Sequence, residues 1–260
     1  MGRISTVSII AVSFAASQTG TVVAQDWSGY YIGVNAGVAK GKAKNSFSLL
    51  GVDTTDSWFF PDEAPTLESA LSGAKSDSHF IGGIQAGRNW QSGNLVYGVE
   101  LDFSSVNIAA SRRTSGVFPT SGFNYTASTE YETDWMFSTR GRLGWSLGSI
   151  LVYGTAGLAI TDLRVSGRYE DQPLPGGTEY ATGNWSTKKN VFGWTLGGGL
   201  EWAIDRKWSL KTEYIFSDFS SATAGGAINS FGGPVGYSNG LTDKVDLTTH
   251  VARAGLNYKF

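Results

Sequence analysis

Eight stretches of this 260-residue chain alternate large apolar residues with small or polar ones, and a linker separates each stretch from the next. Successive side chains of a β-strand point to opposite faces of the sheet, so a period of two predicts strands with two unlike faces. The predicted strands cover residues 29–40, 79–90, 95–107, 133–145, 150–165, 190–203, 208–219 and 246–260. The chain is therefore expected to be all-β.

The two faces of the predicted strands differ in chemistry. In the first strand Tyr30, Ile32 and Val34 share one face, whereas Gly33 and Asn35 share the other. All but one of the strands keep this division. Residues 150–165 are apolar in both phases, so the pattern leaves the facing of the fifth strand open.

Ionic side chains lie on the face opposite the large apolar residues. They are Glu100, Asp102, Arg140, Arg142, Glu201, Lys211, Glu213 and Arg253, and we call them the lumen charge network. An eight-stranded barrel has an interior that side chains can just fill, so these acids and bases could neutralise one another inside it while the apolar face meets lipid. The alternative is a water-soluble carrier barrel, which would enclose the apolar face and expose the charges. We predict the transmembrane barrel. We also predict that its ionic side chains pair with one another and close the lumen; a gated ion path is the less favoured alternative.

The linkers alternate between short and long. Residues 91–94, 147–149 and 205–207 have the length of hairpin turns, whereas residues 41–78, 108–132, 166–189 and 220–245 are long and polar. Bacterial outer-membrane barrels combine short periplasmic turns with longer extracellular loops. The predicted fold is an eight-stranded antiparallel transmembrane β-barrel with short periplasmic turns and four long extracellular loops.

Aromatic residues mark the turn-side ends of the predicted strands. Such residues concentrate at the headgroup level of a membrane, so we predict a periplasmic aromatic girdle. Its members are Trp27, Tyr30, Trp90, Trp145, Trp202, Trp208 and Tyr258.

Composition narrows the function classes. The net charge of −2 gives no reason to expect a nucleic-acid partner, and the absence of cysteine excludes disulfides and thiolate chemistry. After the N-terminal segment, no apolar run approaches the roughly 18 residues that a transmembrane helix needs.

The first 24 residues have the layout of a secretory signal peptide. A basic residue, Arg3, precedes an apolar stretch, and small residues lead to a cleavage site between Ala24 and Gln25. The alternative is a short core helix, which the Ser, Thr and Gly residues before the cleavage site disfavour. The predicted domains are therefore a signal peptide, residues 1–24, and an outer-membrane β-barrel, residues 25–260, exported through the periplasm.

The sequence predicts no enzyme, cofactor or metal site. Residues 144–148 match the G-x-S-x-G pattern of a nucleophile elbow, but Ser146 falls at a predicted hairpin instead of a strand-to-helix turn. His79 falls at the outer end of its strand and His250 in the outer half of the last strand, so both are expected to be far from Ser146. They also lack carboxylates at ligand spacing.

Both ends of the predicted barrel carry a resemblance. The segment from Asp26 to Gly37 resembles the opening strand of the alphaproteobacterial outer-membrane immunogenic proteins, which are opacity-like surface-antigen barrels often labelled porins, and the segment from His250 to Phe260 resembles their closing strand. The resemblance implies an eight-stranded barrel in the cell outer membrane. It also implies that the alternating C-terminal residues Leu256, Tyr258 and Phe260 form the signal read by the barrel-assembly machinery.

The expected role is that of a structural, surface-exposed envelope protein. Its expected partners are outer-membrane lipid, periplasmic chaperones and the assembly machinery, with no nucleic acid. A small-solute porin remains an alternative, as does a receptor that binds a host molecule or a small ligand such as haem through its outer loops. A lipid-modifying enzyme is a further alternative. The loop aromatics that could contact a partner, or equally pack among themselves, are Trp58, Phe59, Phe60, Phe118, Phe123, Tyr125, Tyr169 and Trp185.

Overall fold

The computed structural model describes residues 25–52 and 55–260. The predicted signal peptide, with Ala24 at its cleavage site, lies outside the described residues. The elements in chain order are β1 (Gly29–Leu49), α1 (Ala64–Leu71), β2 (Gly73–Ser92), β3 (Leu95–Val117), β4 (Asn124–Leu147), β5 (Ile150–Gln172), β6 (Tyr180–Ala203), β7 (Trp208–Phe219), β8 (Ala222–Phe231) and β9 (Ser238–Lys259). Across this described range, no helix combines the length and the apolar character that a membrane crossing by helix requires.

The strands form one closed antiparallel ring. Each strand from β1 to β6 pairs with the next, and β1 closes the ring against β9 from Tyr31 opposite Lys259 to Leu49 opposite Leu241. Strands β7 and β8 both pair with β6 and with β9, so they fill one position in the ring and are separated only at residues 220–221. The eight-stranded barrel predicted from the sequence is thus confirmed, with one of its strands interrupted.

The predicted long loops are mostly strand, and this part of the prediction is wrong. The uninterrupted strands are 20 to 24 residues long, and the hairpin tips at 118–123, 173–179 and 232–237 are short. Only residues 50–72 remain a long connection, and they contain α1. The linkers also alternate with a period of two, but between polar and small residues, so the pattern lacks the large apolar residues on which the prediction relied.

The polarity of the two faces of β1 inverts along the strand. Its outward side chains are apolar as far as Val38 and basic from Lys40, while its inward side chains change from Asn35 to the buried Ala39 and Phe47. An apolar outer face suits lipid and a polar outer face suits water. Strand β1 therefore crosses the membrane in its first half and stands in water in its second half.

The other strands invert at the same level, which defines the outer edge of the membrane. The last apolar outward residues are Val38, Phe80, Phe103, Trp135, Ile160, Phe192, Phe216 and Ala252, and the first polar ones are Lys40, Ser78, Ser105, Asp134, Arg164, Asn190, Asp218 and His250. We call the part below this edge the apolar band and the part above it the extracellular tower. The inversion explains why the tower is a barrel with an apolar core of its own.

The facing of the fifth strand, which the sequence left open, is settled by burial. Ile150, Val152 and Leu158 point outward, whereas Leu151 and Tyr153 are buried in the lumen. This strand contributes apolar side chains to both sides because the periplasmic end of the lumen is itself apolar.

The polarity inversion predicts unequal tolerance to charge on the outward face of β6. Leu196 lies in the apolar band and Asn184 in the tower, and both are exposed on the outside of the barrel. Leu196→Arg should destabilise the folded barrel by about 2–4 kcal/mol, because arginine near the middle of a bilayer is unfavourable by that amount. Asn184→Arg should leave stability unchanged. Urea unfolding in lipid vesicles measures both, and equal losses in the two variants would contradict the assignment of the membrane edge.

Candidate functional site: the barrel lumen

An apolar plug closes the periplasmic end of the lumen. Trp27 is 4% exposed, its indole Nε1 donates a hydrogen bond to Ser146 Oγ at 3.1 Å, and its backbone N donates to Gln91 Oε1 at 2.7 Å. It clusters with Val96, Leu151, Tyr153 and Ala203, and we call these five residues the lower plug. The prediction that Trp27 belongs to the aromatic girdle is wrong, since this residue precedes β1 and turns into the lumen.

Most other predicted girdle residues point out of the barrel. Tyr30, Trp145, Trp202 and Trp208 are between 41% and 58% exposed, which is the exposure expected of side chains in contact with lipid headgroups. Trp90 stacks on Tyr97 at a centroid distance of 5.8 Å, and Tyr258 packs edge-on against Trp208 at 5.0 Å.

The lumen charge network lies above the lower plug. Arg140 of β4 forms ion pairs with both Glu100 on β3 and Glu213 on β7. Its Nη2 is 2.5 Å from Glu100 Oε1, and its Nη1 is 3.1 Å from Glu213 Oε1. Lys211 Nζ lies 3.0 Å from Glu100 Oε2 and 3.6 Å from Glu213 Oε2. Each carboxylate therefore faces two cations at this level, and three strands are joined across the lumen.

Arg253 of β9 extends the network towards the tower. Its Nη1 lies 2.7 Å from Asp102 Oδ2 and its Nη2 lies 2.8 Å from Glu213 Oε2. Arg142 and Glu201 form a separate ion pair nearer the lower plug, where the Arg142 guanidinium carbon sits 3.7 Å above the ring of Tyr153. All eight predicted network residues are 5% exposed or less.

Neutral side chains join the two ionic groups, and sequence reasoning did not assign them this role. Asn35 Nδ2 donates to Asp102 Oδ2 at 3.1 Å and to Gln85 Oε1, Gln85 Nε2 donates to Asn257 Oδ1, and Asn257 Nδ2 donates to Glu201 Oε1 at 2.8 Å. Strand phase places these amides on the same faces as the charges, but it does not distinguish them from the other polar residues there. The result is one continuous polar layer across the middle of the lumen.

The described part of the connection between β1 and β2, residues 50–52 and 55–72, folds over the extracellular mouth, and we call it the cap. Trp58 Nε1 donates to Asp171 Oδ2 at 2.8 Å, and Trp58 N donates to Asn239 Oδ1 at 2.9 Å. Phe59 packs edge-on against Phe118 and Tyr169. Strands β5 and β9 and the hairpin tip at 118–123 are thereby joined to the same connection above the lumen.

Helix α1 fixes the cap to the end of β1. Its residues Ala64, Leu67 and Leu71 are buried in the tower core. Glu68 Oε1 accepts a hydrogen bond from Leu49 N, and Ser72 Oγ, just after the helix, accepts one from Phe47 N. These side chains satisfy backbone donors of β1 beyond the end of its pairing with β2, which otherwise would be left without strand partners.

Asp171 is a buried carboxylate that the cap covers. It is 4% exposed, and it also accepts hydrogen bonds from Tyr169 Oη at 2.9 Å and from Ala181 N at 2.5 Å. Burial raises the pKa of Asp171 above its usual range, because removal from water disfavours the charged form. Because the pKa of Asp171 is raised in the folded state, the folded cap becomes more stable as pH falls towards that pKa. Near neutral pH the cap therefore depends on the donors that hydrogen-bond to Asp171.

The loop aromatics pack among themselves, the second of the two possibilities left open by the sequence. Phe59, Phe118, Tyr125, Tyr169 and Trp185 are 6% exposed or less, whereas Phe60 is 48% exposed. Trp58 and Phe123 contact each other at a centroid distance of 5.2 Å. These side chains form the core of the tower, and only Phe60 is openly presented to solvent.

The residues considered for catalysis are held apart. Ser146 lies at the lower plug, whereas His79 and His250 lie near the outer edge of the membrane. His79 Nε2 contacts Asp77 at 2.7 Å, and His250 Nδ1 contacts Tyr214 Oη at 2.6 Å. Within residues 25–52 and 55–260, no three histidine or acidic side chains converge as they would around a metal ion.

An apolar outer band, an enclosed ionic layer and a water-facing tower define an integral outer-membrane β-barrel. Comparison with known proteins agrees: the chain belongs to the outer membrane protein beta-barrel domain family, whose sequence profile matches residues 5–260. The 31 kDa outer-membrane immunogenic protein of Brucella melitensis is 36% identical over 236 residues, which cover 90% of this chain and 84% of that protein. The 22 kDa outer membrane protein of Rhizobium leguminosarum is 32% identical over 173 residues, which cover 65% of this chain and 68% of that protein. The resemblance read from the two end strands is thus confirmed.

Solved outer-membrane proteins show a distant likeness. Neisserial surface protein A is 15% identical with a TM-score of 0.39, covering 90% of this chain and 98% of that one. OprG of Pseudomonas aeruginosa is 13% identical with a TM-score of 0.39, covering 93% and 99%. The outer membrane protease OmpT of Escherichia coli is 9% identical with a TM-score of 0.43, covering 89% and 97%.

The charge network predicts a strong effect of charge reversal at its centre. Arg140→Glu would place three carboxylates together where Glu100 and Glu213 now share one guanidinium, and disrupting a buried pair typically costs about 3–5 kcal/mol. The variant should lose its folded form at a lower temperature on a heat-modifiability gel. Arg164→Glu is the control, since Arg164 pairs with Glu132 on the exposed outer wall of the tower. An unchanged melting temperature for Arg140→Glu would contradict the packed network.

The cap predicts a specific role for the Trp58 indole. Trp58→Phe keeps the aromatic packing but removes the donor to the buried Asp171, a hydrogen bond to a charged group worth about 1.5–3 kcal/mol. A protease added to the folded protein at neutral pH should therefore cleave residues 50–72 faster. Phe60→Leu, at an exposed position of the same connection, is the control. Equal cleavage rates in the two variants would show that the hydrogen bond does not hold the cap.

Proposed function

We propose that this protein is a closed, non-conducting surface barrel of the outer membrane, with a structural role in the envelope and a tower displayed to the outside. The observation that carries the proposal is the burial of all eight charged residues of the lumen charge network, each 5% exposed or less. Side chains that fill the cross-section of an eight-stranded lumen leave no room for a solute.

Two further layers support closure. The lower plug lies on the periplasmic side of the charge network, and the cap and tower core lie on its extracellular side. An ion passing through the barrel would meet an apolar layer, an ionic layer and a second apolar layer in turn. The small-solute porin is therefore the less supported alternative.

The loop aromatics, which were the sequence argument for a receptor, do not favour that alternative. The aromatics considered as contacts for haem or a host molecule are mostly buried in the tower core, so a ligand would have to bind the polar outer wall. Of the enzyme alternatives, the position of Ser146 favours none, since its hydroxyl accepts a hydrogen bond from Trp27 and the histidines lie elsewhere. We accordingly propose a non-enzymatic role that needs no cofactor.

We propose that the end of β9 is the assembly signal. Leu256 and Phe260 are 36% and 71% exposed on the lipid side, and Tyr258 contacts Phe260 at a centroid distance of 5.3 Å. An apolar outward stripe at the last strand is accessible to periplasmic chaperones and the barrel-assembly machinery before β9 pairs with β1. Outer-membrane lipid takes their place once the barrel has closed.

Planar-bilayer recording tests the closed lumen. The purified protein should give no steady single-channel steps, and Trp27→Ala should also stay silent because the charge network remains intact above the missing indole. Trp208→Ala, a change at the outward first residue of β7, controls for general loosening of the periplasmic end. Reproducible conductance steps from the unmodified protein would refute the proposal in favour of a porin. Steps that appear only in Trp27→Ala would assign closure to the lower plug alone.

A further inference from the structure

Charges on the outer wall just above the apolar band are unevenly distributed. Strand β1 places three lysines there in succession, Lys40, Lys42 and Lys44, all exposed and pointing outward. Strand β4, on the other side of the barrel, presents the acids Glu130, Glu132 and Asp134 within the same height. We call the three lysines of β1 the lysine ladder.

The lysine ladder differs from Arg164 and Lys188, two other outward bases near the membrane edge, because it is unpaired. Arg164 is bound to Glu132 at 3.0 Å, and Lys188 to Asp162 at 3.5 Å. None of the three ladder lysines forms an ion pair with the residues that the structure describes. Asp246 lies opposite Lys44 in the register, but its Oδ1 accepts a hydrogen bond from Ser221 instead.

The surroundings of the ladder specify the kind of anion that it suits. Next to Lys40 and Lys42 in the register lie hydroxyl side chains, Ser76 and Ser78 on β2 and Thr248 on β9. Outward residues of one strand are about 6.6 Å apart, so the ladder spans about 13 Å from the membrane edge upwards. Its lower end therefore lies in the polar headgroup layer, in which hydroxyls can meet sugars and ammonium groups can meet phosphates.

An apolar surface continues directly below the ladder. Val38, one step below Lys40 on β1, is 48% exposed, and its partner across the β1–β2 pairing, Phe80, is 86% exposed. Acyl chains would lie against these side chains while the headgroup of the same molecule reaches the lysines. A ligand with both parts fits better than a free anion.

We propose that the lysine ladder of β1 is a binding site for a phosphorylated glycolipid of the outer leaflet, with Lys40 and Lys42 on the phosphate and Lys44 on an anionic group further out. The site explains three unpaired cations at the one height where the membrane offers anionic headgroups. It is independent of whether the lumen conducts.

The test uses the full barrel in a non-ionic detergent, titrated with bis-phosphorylated lipid A and followed by native mass spectrometry. Lys40→Gln/Lys42→Gln/Lys44→Gln should bind this lipid more weakly, by about fivefold for each lysine, the effect of about 1 kcal/mol per basic residue near an anionic surface. The matched control is Lys188→Gln/Lys189→Gln on β6, which should bind as the unmodified protein does. The single variant Lys42→Gln gives the same test if the triple variant does not fold.

Two further probes identify the ligand chemistry. Dephosphorylated lipid A should bind the unmodified protein weakly. Its affinity should be no higher than the affinity of the triple variant for bis-phosphorylated lipid A. Inorganic phosphate alone should neither bind measurably nor displace the lipid. Unchanged affinity in the triple variant would overturn the proposal, and equal binding of the dephosphorylated lipid would reduce the contact to its acyl chains. Lysine-dependent saturation by inorganic phosphate would assign a free-anion site instead of a lipid site.

Discussion

The pairing of buried charges in the middle of the lumen is the constraint on which the rest of this barrel depends. Arg140, Lys211 and Arg253 come from three strands and meet Glu100 and Glu213 with almost no exposure to water. A buried charge without its partner is strongly destabilising, so these strands have to keep their relative positions. A shift of one residue in a strand would turn its ionic side chains into the lipid and its apolar side chains into the lumen. The network is therefore as much a determinant of strand register as a filling of the barrel.

The same strands also satisfy two different solvents. In the apolar band the sheet is apolar outside and ionic inside, and in the tower it is polar outside and apolar inside. The tower can thus fold by ordinary hydrophobic burial, while the band is stabilised by lipid outside and by ion pairs inside. Continuous strands join the two parts, so the stability of the tower core supports the charge network beneath it.

The sequence was sufficient for the apolar band and insufficient for the tower. Large apolar residues in phase, such as those of β6 and β7, predicted strands, faces and the closed ring, because lipid contact demands bulky side chains on one face. In the tower, segments such as the one from Lys40 to Lys44 alternate lysine with glycine or alanine, and their inward partners lie far along the chain. Local pattern cannot show that such a segment is a strand, since its stability comes from non-local packing.

The lumen residues, too, could be predicted from the sequence only in part. The ionic residues could be assigned from the sequence by strand phase, but the bridging amides could not be distinguished from the many polar residues on that face. Trp27 was misplaced because it precedes the first strand, where the period of two no longer indicates a direction. The cap could not have been predicted either, as its contacts join residues 58 and 239, or 58 and 171.

The height of the tower determines which surface of this protein is accessible to antibodies. Its hairpin tips at 118–123, 173–179 and 232–237 are short, so most of the surface outside the cell is the side wall of a sheet. Neighbours on that wall come from distant parts of the chain: Arg113, Ser128 and Arg168 lie in one row on β3, β4 and β5. An antibody footprint there is discontinuous, so antisera raised against the folded barrel would recognise boiled protein or linear peptides poorly.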